Sequence, residues 1–469
     1  MKPANRKLLN ILLWILVTPI VLVLSFLVLL VGSWLLIPDE PLDPLTARLV
    51  SYRTSVPVAE NVYFAMWGFK ASPALDPHQV GQQIVAAYAA HPRGEKGGEP
   101  FKADAYWGAT PFKRPEKTTA ACRPEAKSCL DELKAGETNL DARLAEYAPY
   151  VARYRALRGY PHFAEAMEMS IDYPILQWAD ILFVSDLIDA QVARDMAFEP
   201  RRVAALNELS AEIAFWKNLG LEADTLITKM IVVSVLTRKF RLGSELLSRY
   251  PVIATTHAET VAAMTRPLSP EWAHMERVMD GEFRFFASAL SKLPDTEQNI
   301  FFDNNAAGGM WRSAVTPLNA YRVNATLNEH RRMTSRVGDF YSQSARAIVE
   351  NEAAFRLEQD QFNPWSPDTI FYNPVGKIVV NIAAPAWGEY AYRLQDMIGL
   401  SRLVELQRRL ALAQGTPEEI GKQVAADPAL FDPYTEKPMQ WSAASGELRF
   451  AARGLRLRNS TAVVVKVGQ

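Results

Sequence analysis

The chain has 469 residues, 49% of them hydrophobic and 22% charged, with a formal net charge of −1. That is the composition of a folded protein with room for a sizeable core, and it excludes large-scale disorder. Setting aside Lys2, Arg6 and Lys7 leaves 48 basic against 52 acidic side chains, about −4, without the concentrated basic excess of a nucleic-acid-binding surface.

Residues 8–37 carry no charge and are nearly unbroken Leu, Val and Ile. Thirty residues at about 1.5 Å each reach ~45 Å, against roughly 30 Å of hydrocarbon, so a helix here is long enough to span a bilayer with length to spare. No small-x-small cleavage site precedes Pro38, so the segment reads as an uncleaved anchor. Lys2, Arg6 and Lys7 on one flank and Asp39, Glu40 and Asp43 on the other predict a cytoplasmic stub at 1–7 and an exported remainder, a single-pass arrangement in a bacterial inner membrane. Residues 38–44 hold three prolines and three acids and read as a short stiff spacer.

A membrane-proximal segment is expected over 38–138. The apolar run 61–69 is too short to span and reads as buried core in a strand or short helix. Asp76-Pro77 supplies an N-cap with proline at the first helical position, opening a helix that His91-Pro92 ends. From there to about residue 136 a long exposed excursion carries Cys122 and Cys129. Two cysteines separated by six residues are too few for a four-ligand zinc site, and in an exported loop they are expected to form a local disulfide.

A helical domain is expected over 139–426. Residues 139–157, 161–196, 200–219 and 221–247 show apolar positions at three- and four-residue spacing, with Leu226, Met230, Val233, Leu236 and Phe240 as one stripe. Further helices are predicted at 270–293, opened by Ser269-Pro270, at 317–361, and at 385–413. Beyond 427 the pattern shortens to segments at 439–441, 448–451, 455–457 and 462–467, a small antiparallel sheet packed on the helices. The expected fold class is therefore mainly α, a multi-helix bundle or irregular helical array with a small C-terminal β-sheet at 427–469, preceded by one transmembrane helix.

The pieces NPVGK (373–377), RLQDMIGLSRLVELQ (393–407, on the helix from Tyr390) and DPYTEKPMQW (432–441) resemble segments of an uncharacterised group of bacterial inner-membrane-anchored proteins. The NVYFAMWGF stretch and the cysteine pair are similar too. The resemblance implies a helical periplasmic domain and a location, and no activity. In that group the DPYTEKP turn more often carries Gly where this chain has Glu436.

Catalytic motifs are scarce. A di-iron bundle needs two Glu-x-x-His pairs, and only Glu271 to His274 matches. With six histidines and no HExxH, a zinc hydrolase lacks its ligands, and no G-x-S-x-G elbow, phosphate loop or dinucleotide fingerprint occurs. No metal, cofactor or nucleotide is therefore expected. The best catalytic candidates are His162, Glu165 and Glu168, with Asp172 beyond, which a helix would stack on one face for general-acid work on a glycan or lipid. The most site-like loop is Asp303, Asn304 and Asn305 with Trp311 and Arg312, beside Gly308-Gly309. The expected function is a membrane-tethered periplasmic binding or scaffold protein with a protein partner in the envelope, in envelope assembly or toxin immunity. The alternative is a glycan- or lipid-processing enzyme using the helix carboxylates.

Overall fold

A computed structural model describes residues 3–91, 100–115, 122, 127–136, 139–170, 173–292, 320–382, 387–412, 416–455 and 460–467. Among them are nineteen helices and one three-stranded sheet, as the periodicities predict. The chain divides into two compact units: residues 1–51, 283–333 and 354–385 form the first, and residues 52–282, 334–353 and 386–469 the second. The boundaries expected at 138 and 426 both fall within the second unit.

In the first unit the helix Pro3–Leu36 contains one stretch, Trp14–Leu36, long and apolar enough to cross a bilayer. The segment after it is not a free spacer. The Asp39 carboxylate accepts from the amides of Asn324 (2.8 Å) and Ala325 (3.1 Å), capping the open N-terminus of the helix Val323–Tyr341. Asn328 donates to the Glu40 carboxylate (2.8 Å) and to the Pro41 carbonyl (3.0 Å), and accepts from the Asp43 amide at 2.9 Å. Leu49, Phe283, Ala287, Leu290, Leu327 and Val379 form the apolar core beside these bonds.

In the second unit the helices Trp178–Asp195, Arg202–Glu222, Leu226–Arg249 and Gly388–Ala411 build the core. The sheet is antiparallel in the order β1 (Gln440–Ser442), β2 (Glu447–Ala451), β3 (Ala462–Lys466). Leu448, Phe450, Val463 and Val465 face inward at the two-residue period of a half-buried sheet. Phe450 lies so close to Gly399 that a Cβ there would meet its ring at 2.5 Å, which fixes glycine at that helical position. Residue 455, expected to begin a fourth strand, lies in a loop.

Cys122 and Cys129 form the expected disulfide. Beside it Glu245 accepts from the amides of Cys129 (2.8 Å) and Leu130 (2.9 Å), so a carboxylate 116 residues away caps the helix Cys129–Gly136. The 61–69 run is the buried helix Val62–Trp67, capped by Asn61, and Asp76 caps Pro77–Ala90 through the Gln79 amide at 2.8 Å.

Three predicted helices differ. The described residues of 161–177 are not helical, and the helix begins at Trp178. Their amides are taken by distant side chains: Phe163 by Glu222 (2.6 Å), Ala164 by Asn61 (3.0 Å) and Glu165 by Asp224 (3.3 Å). His162 pairs with Asn61 in a single parallel bridge, so tertiary partners override the local period. The 270–293 helix starts at Glu276, after a 3₁₀ turn at Pro270–Ala273, because the Met275 amide donates instead to Ser342 Oγ at 2.8 Å. The 317–361 helix breaks into Val323–Tyr341 and Ala345–Gln359, where Ser344 Oγ accepts from the Ala347 amide at 3.2 Å.

Candidate functional site

Because the described residues of 161–177 form no helix, the three catalytic candidates are separated. His162 Nδ1 lies 2.8 Å from Glu222 on the rim of a cavity of about 240 Å³ with Arg158, Tyr160 and Phe215. Glu168 is at the surface, 3.7 Å from Arg53. Glu165 is buried at 4% exposure. Its Oε1 accepts from the hydroxyls of Thr225 (2.8 Å) and Thr228 (2.9 Å), and its Oε2 from Tyr173 (2.9 Å), whose oxygen is 2.8 Å from that of Tyr63. Burial, with Asp224 nearby, raises the Glu165 pKa. The same burial raises those of Tyr63 and Tyr173, so both stay protonated donors. The cluster pins the irregular 161–177 segment to the start of the helix Leu226–Arg249, and Glu165 lines neither that cavity nor the larger one. Asp172, Asp303, Asn304, Asn305, Trp311 and Arg312 lie outside the described residues. His274, the half of a di-iron pair, ends the 3₁₀ turn with Nδ1 3.9 Å from Glu276.

A different feature stands out in the second unit. A cavity of about 580 Å³, within the size range of ligand pockets, is lined by four arginines, Arg238, Arg241, Arg393 and Arg453, against one carboxylate, Glu389. Three segments build it. On the helix Leu226–Arg249, Met230, Val233, Ser234, Thr237, Arg238 and Arg241 recur at three- and four-residue steps and form one face, apolar at its start and cationic at its end. On the helix Gly388–Ala411, Glu389 and Arg393 lie one turn apart, their charged atoms 3.7 Å from each other. The third segment is the loop after β2, with Arg453, Gly454 and Leu455.

That loop is held by a single buried carboxylate. Asp396 accepts from the amides of Arg453 (3.0 Å), Gly454 (2.6 Å) and Leu455 (2.7 Å) and from the Tyr434 hydroxyl (2.6 Å). Gly454 is required there, because a Cβ would meet the Arg393 amide nitrogen at 2.5 Å. The Arg453 guanidinium lies 5.6 Å from the Tyr392 ring and 5.3 Å from the Tyr434 ring, which orients it without removing its charge. Arg238 pairs with Asp186, whose pKa burial pushes up to about 6 in spite of that partner. The lining therefore carries an excess of positive charge beside hydroxyls and a short apolar wall, the chemistry that holds an anion through charge-assisted hydrogen bonds.

Sequence reasoning missed this site. Met230 and Val233 read as core stripe, and the spacing singles out neither Arg238 nor Arg241. The available signal was the run of Ser234, Thr237, Arg238 and Arg241 down one helical face, together with Arg453-Gly454 between two segments read as strand. Compared with known families, curated proteins and solved structures, the chain matches none.

Proposed function

We propose that the chain is a single-pass protein of a bacterial inner membrane whose exported region binds a small anionic ligand, one carrying phosphate, sulfate or carboxylate groups, in the arginine-lined cavity. The cavity carries the reading: four guanidinium groups stand among its described lining residues, Arg238 also paired with Asp186 and Arg393 with Glu389, around about 580 Å³. The anchoring part is supported by the apolar helix Trp14–Leu36. Its orientation is supported by Lys2, Arg6 and Lys7 before it and Asp39, Glu40 and Asp43 after it. The Cys122–Cys129 disulfide agrees with an oxidising compartment. On this reading the protein belongs with the inner-membrane-anchored group that its C-terminal segments resemble, and it works by binding.

Equilibrium dialysis of the full chain in detergent against labelled pyrophosphate, at fixed ionic strength, tests the binding. One equivalent is expected to bind. Changing Arg393→Ala together with Arg453→Ala is expected to weaken it at least tenfold, since hydrogen bonds to charged groups contribute about 1.5–3 kcal/mol each. Equal binding by wild type and double variant overturns the assignment. A periplasm-dependent reporter fused after Gln469 tests orientation, and activity in the cytoplasm alone overturns it.

A further inference from the structure

The apolar helix is longer than a bilayer needs, and the first unit accounts for the excess. Along it the side chains described before Leu30 are exposed, whereas residues 30–34 are half-buried. Trp34 Nε1 donates to the Ile370 carbonyl (2.8 Å), and Arg322 donates to the Trp34 carbonyl (3.0 Å). The Phe371 ring sits 5.8 Å edge-on from that of Phe26, ten residues or about 15 Å before Leu36 along the helix. That length is close to the ~15 Å by which thirty apolar residues exceed the hydrocarbon. The short helix Pro367–Phe371 therefore shields the helix where it would leave the bilayer, and it reaches down to the depth of the acyl chains.

The same stretch of chain presents large apolar side chains that are exposed among the described residues: Leu357 at 67%, Trp365 at 80% and Ile382 at 73%. Trp365 sits in the turn before Pro367–Phe371, and Ile382 ends the next helix, Pro374–Ile382, whose Val379 and Val380 are buried. An exposed tryptophan beside a membrane helix is the residue that favours the headgroup boundary. We infer that the first unit is seated in the bilayer: residues 365–382 lie in the outer interface, with Trp365 and Ile382 inserted among the lipids around the anchor. The inference rests on the anchoring proposed above and extends it, because the linkage becomes a rigid collar in lipid instead of a flexible tether. Asp39, Glu40 and Asn328 hold the chain at the level where water begins.

Single cysteines at exposed positions test the seat in the full chain. Trp365→Cys, Ile382→Cys and Leu29→Cys are each labelled with an environment-sensitive dye, Cys122 and Cys129 being bonded to each other. The proteins are reconstituted into phosphatidylethanolamine–phosphatidylglycerol vesicles with or without lipid bearing a nitroxide near the top of its acyl chain. Several-fold quenching at 365 and 382, unchanged on tenfold dilution of protein in lipid, is expected. Quenching at 29 without quenching at 365 and 382 overturns the seat and leaves the anchor standing. No quenching at 29 overturns the anchor and the seat together. An apolar dye environment at 365 and 382 without quenching, turning aqueous on dilution, assigns these residues to a contact between copies and also overturns the seat.

Discussion

Two regions on opposite faces of one helix, Leu226–Arg249, hold positive charge in opposite ways. Lys239 is completely buried, 2.6 Å from Asp189, 2.9 Å from Glu212 and 2.9 Å from Ser185 Oγ. Glu212 is satisfied further by Arg158 and by the Tyr154 hydroxyl at 2.7 Å. Arg238, the neighbouring residue, and Arg241, two positions on, line the cavity, where guanidinium groups outnumber carboxylates. Burial is tolerable for a charge only when its counter-charges are built in, so the Lys239 cluster is a structural joint that binds the helices together. On the proposed reading, the arginines beside the open volume are the side that meets a ligand. The contrast shows why a cluster of titratable groups is a poor sign of function in itself: the closed one here holds about as many of them.

The sharpest way to break this contrast is to empty the closed side. Lys239→Met leaves the buried Asp189 without its ion-pair partner and Glu212 with Arg158 alone, and is expected to cost about 3–5 kcal/mol. Urea denaturation of the second unit, followed by its tryptophans, measures this. A loss under about 1 kcal/mol would mean that the cluster is not the joint described here.

The first unit offers a closed site of another kind. His330 is buried against the rings of Phe283 and Phe286, with neither ring nitrogen hydrogen-bonded among the described residues, and burial lowers its pKa to about 4. Between that value and the ordinary ~6.5 the unfolded chain binds a proton that the folded one does not. Stability is therefore intact above about pH 6.5 and falls as pH drops toward 4, by up to about 3 kcal/mol. Replacing His330→Phe should flatten that part of the stability profile, and an unaltered profile would remove the histidine from the account.

Glu165 sharpens the comparison from the other direction. If its hydroxyl ring is structural, Glu165→Gln should cost about 1–3 kcal/mol and leave pyrophosphate binding intact. Because the folded-state pKa is raised, the wild-type carboxyl contributes less as pH rises from about 4.5 toward that raised value, and the glutamine variant should lose this decline. Loss of anion binding with stability unchanged would return Glu165 to a functional role.

What the sequence made legible follows the range of the interactions concerned. The apolar helix, the Asp76-Pro77 cap, the disulfide and the alternation in β2 and β3 are decided within a few residues, and these stand where the pattern places them. Residues 161–177 carry helical spacing, but Asn61, Glu222 and Asp224 capture their amides from 59 to 103 positions away. The cavity was illegible for the same reason. Its arginines come from segments near 238, 393 and 453, and only the bond between Asp396 and the 453–455 loop brings the last of them in. Glu436 has φ 52°, in the left-handed region that glycine adopts without strain, and no local spacing points to it.

The smallest expected effect ties the cavity to acidity through Asp186. At neutral pH its carboxylate neutralises part of Arg238, while Lys239 and Asp189 act on it from the closed side with opposite signs. Protonation near pH 6 leaves Arg238 with its full charge toward the cavity, so an anion should bind more tightly as pH falls from 7.5 to 5.5. Sulfate is the suitable probe, because its own charge is constant over this range. A three- to tenfold gain, roughly 1 kcal/mol, is in scale with a charge pair partly screened by solvent. Linkage requires that bound sulfate raise the Asp186 pKa in return. Asp186→Asn should bind at the tighter limit throughout and lose the pH dependence, whereas a variant that still follows pH would place the titrating group elsewhere and detach Asp186 from the site.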